Sequence, residues 1–262
     1  MRAFAISLLA SLTLAACGSS NNDDATVAAD SGVADTSASS ETSDTGSLPV
    51  DTGSPETTPS CTSARDTALK PIEKVSTGEV KTLDTAGDVK TLYIDASAGG
   101  SAMASTNPWI YLDLSTATRV DVDDRTALTA TTWDLAIKRP ILRTSSGDSG
   151  PGSGGAVFLA GKSFGAVTDA EAKAAKPRAE DWFDDECTPK TDPTGAIKTS
   201  FDGWYDYDAA TMKLSPAAGT WIVRGAKGAL YKLEIQTYYS NPDGAVGATS
   251  ARYKLRIAAV KG

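Results

Sequence analysis

The chain has 262 residues, 25 Lys plus Arg against 33 Asp plus Glu, and no histidine. Without histidine it lacks the usual proton-transfer group of nucleophilic hydrolases and the commonest metal ligand. A net charge of −8 offers no basic stripe for nucleic acid.

The N-terminus opens with Arg2 and an apolar run from Phe4 to Leu14, then Leu14-Ala15-Ala16-Cys17. That run is too short to span a bilayer and ends in small residues, so residues 1–16 read as a signal peptide. A cysteine directly after Leu-Ala-Ala resembles the bacterial lipoprotein signal. In that class the cysteine is acylated, palmitate-type, and becomes the new N-terminus, so Cys17 is the expected lipidation site. Residues 17–60 then hold eight acids and no base. Such a composition cannot bury enough apolar surface to fold and reads as a tether, with a reach of roughly 35 Å. Residues 61–262 carry 24 basic against 25 acidic residues, so the acidity of the chain belongs to the tether.

Cys61 and Cys187 remain as a pair in an exported chain, where oxidation is the default. A bridge between them closes about 127 residues, worth roughly 5 kcal/mol as an upper limit. The alternative is two free thiols.

The remaining 200 or so residues suffice for one domain. Their dominant period is two, the mark of half-buried strands. Strands are predicted at 90–95, 109–114, 133–144, 156–159, 204–207, 220–224, 231–239 and 252–257. In the third last of these regions onward the turns are also legible. Gly225-Ala226-Lys227-Gly228 reads as a hairpin turn and Asn241-Pro242-Asp243-Gly244 as another. Tyr231, Leu233, Ile235, Thr237 and Tyr239 share one face, as do Tyr253, Leu255 and Ile257, and Ile110, Leu112 and Leu114. One short helix is predicted after Thr168, whose spacing to Glu171 fits a capping box, and Pro177 ends it. The expectation is a single all-β domain, antiparallel, with one short helix.

Gly147-Asp148-Ser149-Gly150 resembles the nucleophile loop of trypsin-like proteases. Ser149 has no histidine to take its proton, so hydrolysis is excluded and the chain is not read as an enzyme. The five glycines at 147, 150, 152, 154 and 155 instead permit positive φ or close backbone approach. Residues 156–163 satisfy a loose phosphate-loop pattern, but Val157-Phe158-Leu159 is an apolar strand rather than a flexible cradle. The acidic groups at 121–124, 181–186 and 202–208 lack calcium-loop spacing and read as solvated loop charge. Tyr111, Trp133, Trp204, Tyr205, Tyr207, Trp221, Tyr238 and Tyr239 read first as core. A subset of them could line a pocket for a flat apolar ligand.

Three pieces then resemble a known family: Trp133-Asp134-Leu135-Ala136-Ile137-Lys138-Arg139, Arg143-Thr144-Ser145-Ser146-Gly147, and Gly152-Ser153-Gly154-Gly155-Ala156. With Trp204-Tyr205-Asp206-Tyr207 and the Tyr-Lys-Leu hairpin from Leu230 to Tyr239, they are similar to the HmuY-like lipoproteins. The resemblance implies an all-β, exported, lipid-anchored binding protein of the bacterial cell envelope, at the outer membrane. It also implies haem as ligand and an outer-membrane receptor as partner. The family's founding haemophore ligates haem with two histidines, and some relatives use methionine. This chain departs from the histidine pattern completely, which leaves Met103 and Met212 as the candidate haem-binding residues. Each is equally a packing methionine. The other reading is a structural or interaction lipoprotein that binds protein or glycan, with no role for haem.

Overall fold

The computed structural model describes residues 61–193 and 195–262, so the predicted signal, Cys17 and the tether lie outside the described residues. In chain order the elements are α1 (Thr62–Leu69), β1 (Val80–Ala86), β2 (Val89–Asp95), β3 (Ile110–Asp113), β4 (Thr118–Val120) and α2 (Asp124–Ala127). Then follow β5 (Leu135–Lys138), β6 (Ile141–Thr144), β7 (Gly155–Ala160), α3 (Asp169–Ala174), β8 (Tyr205–Asp208), β9 (Lys213–Pro216), β10 (Gly219–Arg224), β11 (Leu230–Thr237) and β12 (Arg252–Ala259). A six-stranded sheet runs β1-β2-β12-β11-β10-β7, a four-stranded sheet runs β4-β3-β5-β6, and β8-β9 is a separate hairpin. Every pairing is antiparallel.

The core lies where the alternating residues of the two larger sheets meet. Leu92, Leu233, Leu255 and Ile257 from the first sheet pack in one cluster with Leu112, Leu135, Ile137 and Leu142 from the second. On β12 the alternation is as read, with Tyr253, Leu255 and Ile257 buried and Arg252, Lys254 and Arg256 half-buried.

On β11 the alternation breaks. Ile235 pairs with Leu255 but Thr237 pairs with Lys254, so two residues of β11 oppose one of β12. This bulge at Gln236 turns the strand by one position. Tyr238, expected outward, is therefore buried, and Tyr239, expected inward, is half-buried.

The predicted 133–144 strand is two strands. Arg139 takes φ 55° and Pro140 has no N–H to give to a ladder, so the chain reverses in two residues and Lys138 pairs with Ile141. β3 is not half-buried as alternation implied. Ile110 and Leu112 face the inter-sheet core, while Trp109 and Tyr111 are buried on the opposite face with Trp133, Ala136 and Ala127. The four-stranded sheet is thus covered on both sides, and its outer cover bears the candidate site.

Among the described residues there are three short α-helices rather than one. The predicted helix is α3, with the Thr168–Glu171 capping box formed in both directions. The two others carry little sequence signal: α1 has no side-chain cap and no buried residue, and α2 is four residues long. Lys162 forms an ion pair with Glu171, which also accepts from the Thr168 backbone. The lysine hydrogen bond first, then the cap, holds the Glu171 carboxyl down at about 2, against an ordinary 4.5. A depressed carboxylate stabilises the fold above its unfolded pKa and loses that contribution as pH falls through the folded value. The thermal stability of the wild type should therefore fall from pH 4.5 toward 2 more steeply than that of Glu171→Gln. Parallel slopes in melts recorded across that window would refute the role given to the cap.

Cys61 and Cys187 form a disulfide, with Cα atoms 5.3 Å apart and a sequence separation of 126. It fastens the residue ahead of α1 to the loop between α3 and β8.

Candidate ligand site

β6 alternates Ile141, Leu142, Arg143 and Thr144. Leu142 points into the inter-sheet core, so Arg143 falls on the outer face, where its side chain is only 1% exposed. Its guanidinium carbon lies 4.5 Å from the ring centre of Trp109, 5.0 Å from that of Trp133 and 5.5 Å from that of Tyr111. Desolvated cation–π contacts of this kind are worth about 2 kcal/mol each at best. The fork is then fixed by hydrogen bonds. One terminal nitrogen donates to the Ser149 carbonyl at 2.9 Å and to Ser149 Oγ at 2.7 Å, and the other donates to Tyr111 Oη at 2.9 Å.

Ser149 is completely buried in a single 3-10 turn, Gly147–Ser149. Its hydroxyl serves as an acceptor for Arg143. Tyr111 Oη donates in turn to Asp124 Oδ1 at 3.1 Å, and the carboxylate also accepts from the backbone N–H of Ile72 and Trp109. Asp124 is 2% exposed, so the reading of the 121–124 acids as solvated charge fails for it. Burial raises its pKa, while these hydrogen bonds and Arg143 oppose the rise. Burial likewise raises the Tyr111 phenol. The Arg143 charge therefore reaches its nearest carboxylate partner only through Tyr111.

Glu180 is a second buried carboxylate. It accepts from Thr144 N, Trp182 Nε1, Ser200 N and Ser200 Oγ at 2.6–2.9 Å. It thereby holds the 180–200 segment against the end of β6 and fixes Trp182.

Between that segment, α1 and β6 lies a cavity of about 300 Å³. Its walls are mainly apolar: Leu69, Ile141, Trp182, Ile197 and the ring of Trp109, with Arg143 at one end. Arg143 Nε and Trp109 Nε1 are fully buried, closed off from the cavity, and lack a hydrogen-bond partner among the described residues. Buried polar groups are nearly always satisfied, and an orphaned donor costs about 1–3 kcal/mol.

A second hollow, of about 430 Å³, is bounded by residues 74–78 and 95–99, with Ile137 and Arg252. Its walls are more polar, and its arginine forms an ion pair, with Arg252 Nε 3.3 Å from Asp95 Oδ2, though that nitrogen makes no hydrogen bond of good geometry. It is the weaker candidate for an apolar ligand although it is larger.

The methionines lie elsewhere. Met103 is 50% exposed in the turn-rich loop 97–106, against Gly99 on the rim of the polar hollow. Met212 is 76% exposed at the β8–β9 turn, with φ 55°. They sit on separate loops and neither lines the apolar cavity.

Of the predicted aromatic set, Trp204 and Tyr238 pack on Tyr253, Tyr205 packs on Trp204, Tyr239 packs on Tyr238, and Trp221 packs against Phe158 and Phe201. Tyr111 and Trp133 stand behind Arg143. The rings that line the cavity, Trp109 and Trp182, were not in that set. The missed signal is an arginine on a strand otherwise reading Ile-Leu-x-Thr, where period two alone cannot say that its outer face is covered.

The glycine loop is the backbone of this site. Gly147 adopts φ +48°, where an L side chain is strained. Gly155 has no positive φ. A Cβ there would sit 2.7 Å from the Arg178 carbonyl, whose segment bridges to Ala156. Close approach, not a left-handed conformation, requires that glycine. Gly155→Val should cost about 1–3 kcal/mol by overpacking, a drop of roughly 2–12 °C in melting temperature. An unchanged melt would show that the 178 segment can retreat freely.

Comparison with known proteins supplies a family. The family model described as "HmuY protein" matches residues 105–253, over half of the chain. No match exists among curated proteins. Among solved structures, a HmuY-like haem-binding protein from Bacteroides vulgatus aligns at 17% identity and TM-score 0.45, covering 70% of this chain and all of that one. A lipoprotein from Bacteroides fragilis aligns at 17% identity and TM-score 0.42, covering 69% and 94%. The apo HmuY analog from Tannerella forsythia aligns at 13% identity and TM-score 0.42, covering 72% and 99%.

Proposed function

Because the chain belongs to the HmuY family, we propose that it is a ligand-capturing lipoprotein of the bacterial cell envelope, a binding protein rather than an enzyme. Cys17 carries the acyl chains, and the acidic tether sets the β domain off the membrane. Several acyl chains on one residue give stable anchoring where one would be marginal. No helix among the described residues is long and apolar enough to cross a membrane. The ligand is a flat, largely apolar molecule of the haem class, which the domain could pass to an outer-membrane receptor. The observation that carries this reading is the apolar cavity of about 300 Å³, with Trp109, Trp182 and Arg143 among its lining residues. Cavities of about 300–1,000 Å³ with few polar groups on apolar walls are the usual form of small-molecule sites.

Met103 and Met212, the haem-ligand candidates of the sequence, sit on exposed loops outside this cavity, so a ligand held in it would be bound by its walls and not through either methionine. Titrating the chain with haemin tests the reading. A saturable 1:1 Soret shift supports it. Weak, non-saturating absorbance change favours the alternative, an interaction lipoprotein that binds protein or glycan.

A further inference from the structure

The excursion between Glu180 and Ser200 is pinned at its two ends. Glu180 accepts from Trp182 Nε1 near the start and from Ser200 N and Oγ at the end, and Asp148 accepts from the Trp182 N–H at 2.6 Å. Between those ends it is hydrogen-bonded to itself. Lys190 N donates to the Trp182 carbonyl, Lys198 N to that of Lys190 and Asp192 N to that of Ala196. These bonds keep the shape of the excursion, and none of them ties it to α1. The covalent tie is Cys61–Cys187, which runs from the residue ahead of α1 to a turn where Cys187 N donates to the Asp184 carbonyl. α1 rests on the domain through the half-buried Leu69, packed on the cluster of Trp109 and Trp133, and through an exposed ion pair of Asp66 with Arg125. Exposed pairs hold little. The apolar cavity has Ala68 and Leu69 on one wall and Pro189, Thr191 and Ile197 on another. Both cysteines are half-buried rather than enclosed.

We propose that the Cys61–Cys187 bridge is a redox latch on this cavity, a role that rests on the reading of the cavity as the ligand site. Oxidised, it holds α1 and the excursion together around the ligand. Reduced, it lets the two walls part and the ligand leave. The reductant is a dithiol. Its thiolate attacks one bridge sulfur to form a mixed disulfide, the other cysteine departs as a thiolate, and the second thiol of the reductant displaces the first cysteine to close its own disulfide. Two electrons pass to the protein, and Cys61 and Cys187 take up the two protons the dithiol gives up. The main core between the sheets draws on no residue of α1 or of 181–199, so the sheets stay folded while the walls open as local units.

The test uses the full chain carrying Cys17→Ala, in which the bridge cysteines are the only ones left. It is studied before and after dithiothreitol, at a temperature where both forms are folded. On reduction, amide hydrogen exchange should speed up at least about tenfold in residues 62–69 and 183–198, while β11 and β12 keep their protection. The ligand probe is protoporphyrin IX, which has no iron for the dithiol to reduce or ligate. Followed by tryptophan quenching, it should bind the oxidised chain saturably and the reduced chain at least about tenfold more weakly, because the binding-competent form is then a minority. The double variant Cys61→Ser, Cys187→Ser should match the reduced chain and give no response to dithiothreitol. Three results each overturn the latch and leave a binding protein: a bridge that survives dithiothreitol in the folded chain, unchanged exchange in both segments, or equal affinity of the two forms for protoporphyrin IX. Loss of protection in β11 and β12 as well overturns it too, since the bridge is then a staple of the whole domain. If protoporphyrin IX binds neither form, the ligand reading falls and the latch falls with it.

Discussion

Cys187→Ser is expected to lower the melting temperature by roughly 6–20 °C. The bridge spans a sequence separation of 126. Restriction of so long a loop in the unfolded chain is worth about 3–5 kcal/mol, and each kcal/mol shifts the melt of a domain this size by roughly 2–4 °C. The native side adds to the effect. The bridge fastens the start of α1, whose residues are none of them buried, to the 180–200 segment that walls the cavity. Few apolar contacts would hold that helix once the bridge is cut. Differential scanning calorimetry of oxidised protein, reduced protein and the variant checks this. A reduced protein that melts with the oxidised one would show that α1 and the segment are held by other contacts.

The second large effect is expected at Arg143. Arg143→Ala removes three hydrogen bonds and three ring contacts and leaves a hole, at a cost of about 3–5 kcal/mol. Arg143→Met should cost about 2 kcal/mol less. Its thioether fills the space between the rings, and replacing a buried charge by a well-packed apolar group is often tolerated. The methionine variant also carries a pH signature. Asp124, already raised by burial, loses the cation that opposes the rise. A carboxyl whose folded pKa is raised contributes stability below its unfolded pKa, and that contribution is lost as pH rises through the folded value. Arg143→Met should therefore be more stable near pH 4 than at pH 7, relative to wild type. Equal cost for alanine and methionine, with no pH trend, would mean that the guanidinium contributes volume only.

The period-two runs on β11 and β12 made the larger sheet legible, because one face of each strand meets the core and the other is partly exposed; β10 is instead buried on both faces, with Ile222 packed against Val167 and Ala172. The capping box and the two glycine turns were equally plain, since each rests on a local hydrogen bond or a local φ. What escaped was decided at a distance. The bulge at Gln236 depends on the partner strand β12, and α1 is positioned by a cysteine 126 residues away. β1, largely exposed at a sheet edge, has no alternation to read. The site was hidden for the same reason. Arg143 and Trp109 look like solvent-facing positions until the outer face of the four-stranded sheet is found covered by α2 and the 180–200 segment. Asp124 and Glu180 look like surface acids until their buried donors are known.

The central claim is that the ligand enters beside Arg143 and Trp109. Indole and guanidinium N–H resonances report it, because both residues line the cavity and each carries an observable proton. On addition of protoporphyrin IX, the Trp109 Nε1–H and Arg143 Nε–H signals should shift and saturate together, while those of Trp204 and Trp221 stay in place. Shifts confined to the loop around Met103 or the turn at Met212, with the Trp109 and Arg143 protons unmoved, would contradict the account.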